Sequence, residues 1–256
     1  MSKTHGTAMV TGPTAGIGLC FADSLAGRGH DLVLVARDAA RLEQVATDLR
    51  SRHGVAVEVL RADLVDRAQL ATVEARLADP ERPVQVLVNN AGFGLKGAFL
   101  DNSLEQEQAQ FDVLVTAVLR LTHAALGSMV VAGDGQIVNV SSVAGFFPRG
   151  SYSAAKAYVL KLSHWAHNEY AARGVSVMAL CPGFVRTEFH ARMDVDQSSA
   201  PRFMWLEAET VVAEALADLD AGKAISIPSR RYRMIVRAAH LAPTGALQKL
   251  QSLGRK

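Results

Sequence analysis

Cysteine is scarce in this chain of 256 residues: only Cys20 and Cys181 occur, far apart. That pattern excludes a disulfide framework and the paired spacing of a zinc site, and it makes a reducing compartment, the cytoplasm, the expected location. Histidine supplies no metal cluster, because His123, His164 and His167 fall in helical stretches without ligand partners; no metal is expected. Long apolar runs are missing, and none reaches the roughly 18 residues that suggest a membrane-crossing helix. Residues Met1 to Gly6 lead into a strand-like stretch without a long apolar signal region. Acidic residues are absent from the last stretch. Ser229–Lys256 holds seven Lys or Arg and no Asp or Glu, leaving 20 basic against 25 acidic residues in the rest. The basic stretch is terminal and carries no binding motif, so no nucleic-acid partner is expected.

What is present is an apolar chain with regular alternation. Hydrophobic residues make up 49% and charged residues 20%, enough for one globular α/β domain spanning 1–256, with 229–256 as a basic tail. Strand-like runs stand at 8–10, 32–35, 55–59, 86–88, 137–140, 175–180 and 225–227. Continuous apolar runs, rather than strict alternation, fit strands buried on both faces. Amphipathic segments fill the gaps at about 16–29, 38–53, 66–79, 104–131, 152–173 and 207–221. Seven strands with crossover helices predict a doubly wound parallel sheet, Rossmann-like, with helices on both faces in three layers. Residues 188–206 are the least regular and suit a flap or short helices over a site.

The first strand runs into Thr11-Gly12-Pro13-Thr14-Ala15-Gly16-Ile17-Gly18, and a helix follows. Glycines there allow a tight turn and close approach to a pyrophosphate, while the helix start offers unpaired N–H groups and a favourable dipole. A strand before, a helix after and placement at the first βα junction favour a cofactor loop over a plain turn.

Three further motifs follow in order: Leu87-Val88-Asn89-Asn90-Ala91-Gly92, Tyr152-Ser153-Ala154-Ala155-Lys156 and Pro182-Gly183-Phe184-Val185-Arg186-Thr187. With the glycine loop, they resemble the short-chain dehydrogenase/reductase family over roughly residues 5–228. The resemblance implies a nicotinamide cofactor and interconversion of an alcohol and a carbonyl. It places Gly12, Thr14, Gly16, Ile17 and Gly18 at the cofactor phosphates, and Asp63 and Leu64 at the adenine. Asn90, Ala91 and Gly92 would line the ribose side. Pro182, Gly183, Val185 and Thr187 would lie at the nicotinamide, with Thr187 bonding its carboxamide. The second strand ends Val35-Ala36-Arg37-Asp38, with no acid at the tip to bind both ribose hydroxyls of NAD. Arg37 can pair with a 2′-phosphate, so NADP (NADPH) is favoured over NAD.

Tyr152 and Lys156 are i and i+4, and so project from one helical face. A free phenol, with pKa about 10, is a poor base at neutral pH, and a nearby ammonium is expected to lower it. Tyr152 then exchanges a proton with the substrate oxygen as hydride moves, while Lys156 also holds the nicotinamide ribose. Ser142 is the third candidate, chosen over Ser141 by resemblance, to orient the substrate oxygen. It lies only 10 positions before Tyr152, a short connection. One departure stands out: aligning Phe111 to Thr116 puts Leu114 where the family usually carries an asparagine in a proton relay. Thr116 or Asp112 substitutes, the relay is altered, or catalysis is slow.

Phe146, Phe147, Phe184, Phe189, Phe203, Met204 and Trp205 suggest an apolar pocket for a small ketone or alcohol, with core packing as the alternative. From Arg230 onward, Arg231, Arg233 and Arg237 mix with Tyr232, Met234, Ile235, Val236, Leu241, Leu247 and Leu250. That mixture reads either as a docked helix or as a weak membrane-surface contact. The long helices near 104–131 and 152–173 resemble those that pair family subunits, implying a homodimer or homotetramer. Two alternative functions remain at this point: a cofactor-binding sensor or scaffold with weak or no catalysis, and a peripheral membrane lipid reductase.

Overall fold

Each apolar run forms a strand: β1 (Thr7–Thr11), β2 (Asp31–Ala36), β3 (Val57–Arg61), β4 (Val84–Asn89), β5 (Gly135–Val140), β6 (Val175–Leu180) and β7 (Ile225–Ser226). The structure is a computed structural model that describes residues 6–188 and 201–241. All the pairings are parallel, in the order β3-β2-β1-β4-β5-β6-β7. Helices α1 (Gly16–Gly27), α2 (Ala39–His53), α3 (Arg67–Leu77), α4 (Leu104–Phe111), α5 (Ala117–Ala132), α6 (Ser151–Tyr170) and α7 (Ala208–Asp220) provide the crossovers, and α8 (Arg230–Leu241) follows β7.

Strand side chains alternate between faces, and both faces are covered. Ala8, Val10, Leu32, Leu34, Val86, Val88, Val138 and Met178 pack with α1, α2 and α7. Met9, Val33, Val35, Leu87, Ile137 and Val177 pack with α3, α5 and α6. A residue on either face is therefore buried, which is why the runs are continuously apolar.

Local signals set the helix ends. Asp38 and Asp66 accept backbone N–H bonds at the starts of α2 and α3. Ser103 and Gln106 form a reciprocal capping box for α4. The segment expected as one helix near 104–131 is interrupted by a π-turn at Asp112–Thr116. Taken together, Leu104–Ala132 is long and apolar enough to cross a membrane, but Leu114, Leu121, Ala125 and Met129 are core residues under the sheet.

The order of strands reverses between β1 and β4. Chain leaving their carboxyl ends diverges and opens a crevice. After β7, α8 is docked: Tyr232 and Val236 are each 3% exposed, and Arg233 bonds the Ile227 carbonyl and Glu214. Met234 and Ile235 face outward. Phe189, Leu247 and Leu250 lie outside the described residues, as does most of the 188–206 stretch.

Candidate active site

The crevice is built from loops that hold one another. Thr11 Oγ1 accepts from the N–H groups of Asn90 and Ala91, each at 3.0 Å. Asn90 Nδ2 donates to the carbonyls of Thr11 and Gly12, both at 3.0 Å. The Asn90 amide thus binds the glycine loop itself. Gly12 has φ +66°, and a Cβ on Gly18 would overlap the Gly12 carbonyl and the Asn90 amide. Residue 15 gives α1 no side-chain cap and its first turn has no acid, so the leading N–H groups stay open to an anion. Thr187 sits against the same loop, since a Cβ on Gly16 would come within 2.8 Å of its methyl.

The outer end of the crevice is charged. Arg37 projects from the end of β2 with its side chain 72% exposed, 3.9 Å from Asp63. Arg41, from α2, donates to the Thr14 carbonyl at 2.9 Å and pairs with Glu188 at 2.8 Å. Leu64 and Val185 are 7% and 3% exposed, with side chains in the two cores, and Ile17 packs against one of them.

The inner end holds the titratable groups. Ser142 and Tyr152 share a side-chain hydrogen bond. Ser141 instead turns inward, donating to the Lys156 carbonyl at 2.7 Å. Of the two serines, only Ser142 is seen bonding Tyr152. The short connection is fastened to α6: Ser153 Oγ donates to the Ala144 carbonyl, and a Cβ on Gly145 would crowd the Lys156 carbonyl carbon at 2.9 Å. Lys156 is 5% exposed; its Nζ donates to the Val140 carbonyl at 2.7 Å and stands 5.7 Å from the Tyr152 ring centre.

The phenol expectation needs correction. Burial pushes Tyr152 up to about 12, with the Ser142 hydrogen bond opposing. Burial pushes Lys156 down to about 8, with nearby Cys181 opposing. Burial of the phenol outweighs the neighbouring lysine, whose charged form burial also disfavours.

Leu114 is 1% exposed, packs with Tyr152 and Ala155, and closes on Gly92. Neither suggested substitute stands in for the amide. Asp112 pairs with Arg67 at 3.0 Å and accepts from Thr116 Oγ1 at 3.1 Å. Of the aromatic residues expected to line an apolar pocket, Phe184 and Trp205 pack tilted with ring centres 5.3 Å apart, and Trp205 is 8% exposed, as core packing requires. Phe146 joins the core with Leu160 and Cys181, and Phe203 is 62% exposed.

Sequence reasoning gave no role to three features: the Thr11 zipper, Arg41, and a buried polar chain. In that chain Asn89 Nδ2 donates to Asn139 Oδ1 at 2.8 Å, Asn139 Nδ2 to Ser163 Oγ at 2.9 Å, and Ser163 Oγ to the Val159 carbonyl at 2.7 Å. It ties α6 to the strand ends. Polar residues inside apolar strands were its only sequence signal.

Residues 6–198 match the family model described as short chain dehydrogenase. "Oxidoreductase UcpA" of Salmonella typhimurium is 36% identical over 192 residues, covering 73% of this chain and 72% of its own. A short-chain dehydrogenase from Sphingobium yanoikuyae, solved in complex with NADPH, is 39% identical with TM-score 0.85, over 96% of this chain and 95% of that one. The bulky-bulky ketone specific alcohol dehydrogenase from Comamonas testosteroni is 32% identical with TM-score 0.81, again over 96% and 95%. Strand order, crevice and matched span agree: this chain belongs to the short chain dehydrogenase family and is an oxidoreductase of that type.

Proposed function

We propose that the protein transfers hydride between NADP(H) and an apolar ketone or secondary alcohol, with Tyr152 as general acid and base. The observation that carries this is the Ser142–Tyr152 hydrogen bond, with Lys156 beneath it, at the inner end of the crevice. The residues fit the cofactor. Gly12 and Gly18 let the glycine loop close against Asn90 and Ala91 at the start of α1, and Arg37 offers an exposed guanidinium for a 2′-phosphate. When bound, the nicotinamide supplies or accepts the hydride. On reduction, Tyr152 gives its phenolic proton to the carbonyl oxygen while Ser142 holds that oxygen in place. Gly16, Thr14 and the open N–H groups of α1 hold the phosphates, and Asp63 and Thr187 border the two ends.

The NADPH in the Sphingobium structure and the ketone named for the Comamonas enzyme support this reading. The test is NADPH binding by calorimetry, followed by a panel of apolar ketones read at the nicotinamide absorbance band. Turnover that is lost in Tyr152→Phe is the expected result; no binding of either nicotinamide cofactor sinks the proposal. Buried Leu114 favours a second reading, a cofactor-binding protein of weak catalysis. Tight NADPH binding with no turnover across the panel would select it. We further propose a homodimer or homotetramer, because Phe111, Leu119, Tyr158 and Trp165 on α4, α5 and α6 are between 39% and 54% exposed.

A further inference from the structure

Tyr232 lies far from every motif, yet it reaches the substrate end of the crevice. It is 3% exposed on α8, and its hydroxyl makes two bonds. It accepts from the Phe184 N–H at 2.9 Å and donates to the Met204 carbonyl at 2.7 Å. A phenol has one donor and can accept, so this single group satisfies one orphan of each kind. The ring fills the space above Gly183, where any Cβ would overlap it. Glycine is thus required at 183 by a residue nearly fifty positions later in the chain.

The two points that Tyr232 joins are where the chain leaves the end of β6 and where it returns. They are also joined to each other. Val185 and Leu206 form a parallel bridge, with Arg186 N–H to the Leu206 carbonyl and Leu206 N–H to the Phe184 carbonyl, both at 2.9 Å. Phe184 stacks on Trp205. Arg231, next to Tyr232, bonds the Phe203 carbonyl. On the other side, the Pro182 carbonyl accepts from the Val143 N–H at 3.0 Å and lies 3.5 Å from Ser142 Oγ. A continuous set of contacts therefore runs from α8 through Phe184 and Pro182 to the serine beside Tyr152.

We infer that Tyr232 is a positioning residue for substrate: it fixes the Phe184–Trp205 pair relative to Ser142, so that α8 takes part in selecting bulky apolar ketones. This rests on the carbonyl-reductase reading above. Losing the hydroxyl removes one partner from a part-buried N–H and a part-buried carbonyl, and the Phe184–Trp205 pair relaxes while the phosphate end of the cofactor site, built from the loops after β1 and β4, is untouched.

The test uses the full chain carrying Trp165→Phe, so that Trp205 is the only tryptophan. Quenching of its fluorescence by cyclohexyl phenyl ketone, with NADP+ bound to prevent reduction, gives a dissociation constant without turnover. Tyr232→Phe, which keeps the ring, is expected to weaken that ketone about tenfold, the factor expected when one well-made hydrogen bond is lost. Its KM rises in parallel, while butan-2-one and NADPH shift less than about twofold on the same scale. Met234→Ser, on the outward side of α8, changes none of these. An unchanged ketone affinity in Tyr232→Phe overturns the inference, as does an equal loss for both ketones and NADPH, which marks general destabilisation. If the parent protein binds the bulky ketone but never reduces it with NADPH, the catalytic reading fails while the Tyr232 result stands on the binding data.

Discussion

Tyr152 and Lys156 titrate on opposite sides of their ordinary values, and this sets how rate should depend on pH. With the phenol near 12, Tyr152 stays protonated through the neutral range and is ready as an acid. With the ammonium near 8, Lys156 loses its charge as pH rises through that value. Ketone reduction should therefore be level below pH 8 and fall above it, because a neutral Lys156 holds the nicotinamide ribose less firmly, and alcohol oxidation, which needs the phenolate, should climb toward alkaline pH. Initial rates in both directions from pH 6 to 10 check this; reduction that rises above pH 8 contradicts it. Tyr152→Phe removes the proton donor while keeping the ring that packs on Leu114 and Ala155. It should lower kcat by about 10²- to 10⁴-fold with little change in NADPH affinity. Leu114 is the residue that departs from the family pattern. Leu114→Asn places an amide among buried apolar groups, so we expect a lower Tm by thermal denaturation together with a higher kcat. A kcat that does not rise removes Leu114 as the cause of any slow turnover.

At the scale of elements, the crevice depends on loops locked to loops. Gly18, in the first turn of α1, lies against the Gly12 carbonyl, and no side chain fits there. Gly18→Ala should raise the NADPH dissociation constant more than about tenfold, measured by calorimetry, because the cradle must open to admit the methyl. The elements were largely legible in the sequence: all seven strands and five of the six expected helices stand about where the apolar periods put them, and the sixth, 104–131, is divided into α4 and α5. The π-turn was not, because the wide turn at Asp112–Thr116 leaves the apolar pattern of the helix unbroken. Docking of α8 was not legible either. Arg230 to Arg237 has the same amphipathic pattern whether it covers a sheet edge or lies on a membrane, and only Tyr232 meeting Gly183 and Met204 distinguishes the two for residues up to 238.

For the whole molecule, cofactor binding and folding are linked. A ligand that binds only the folded state at 100 times its dissociation constant adds about 2.7 kcal/mol, worth several degrees of Tm for a chain of this size. NADPH should therefore raise Tm more than NADH at equal concentration, and Arg37→Ala should erase the difference. Equal shifts in the parent protein would remove the case for NADP. The sequence by itself determined the parallel sheet, its two covered faces, the glycine loop and the i, i+4 pairing of Tyr152 with Lys156. Those follow from local period and spacing, which the chain carries along its length. Tertiary structure alone decided that Ser141 is turned to the Lys156 carbonyl, that Lys156 is turned to the Val140 carbonyl, and that Tyr232 joins Phe184 to Met204. Each depends on groups distant in sequence competing for the same buried partner. That competition is resolved only when the strands are in register and water has been excluded. The tyrosine–lysine pair can be read from spacing; the raised phenol and the lowered ammonium come from burial.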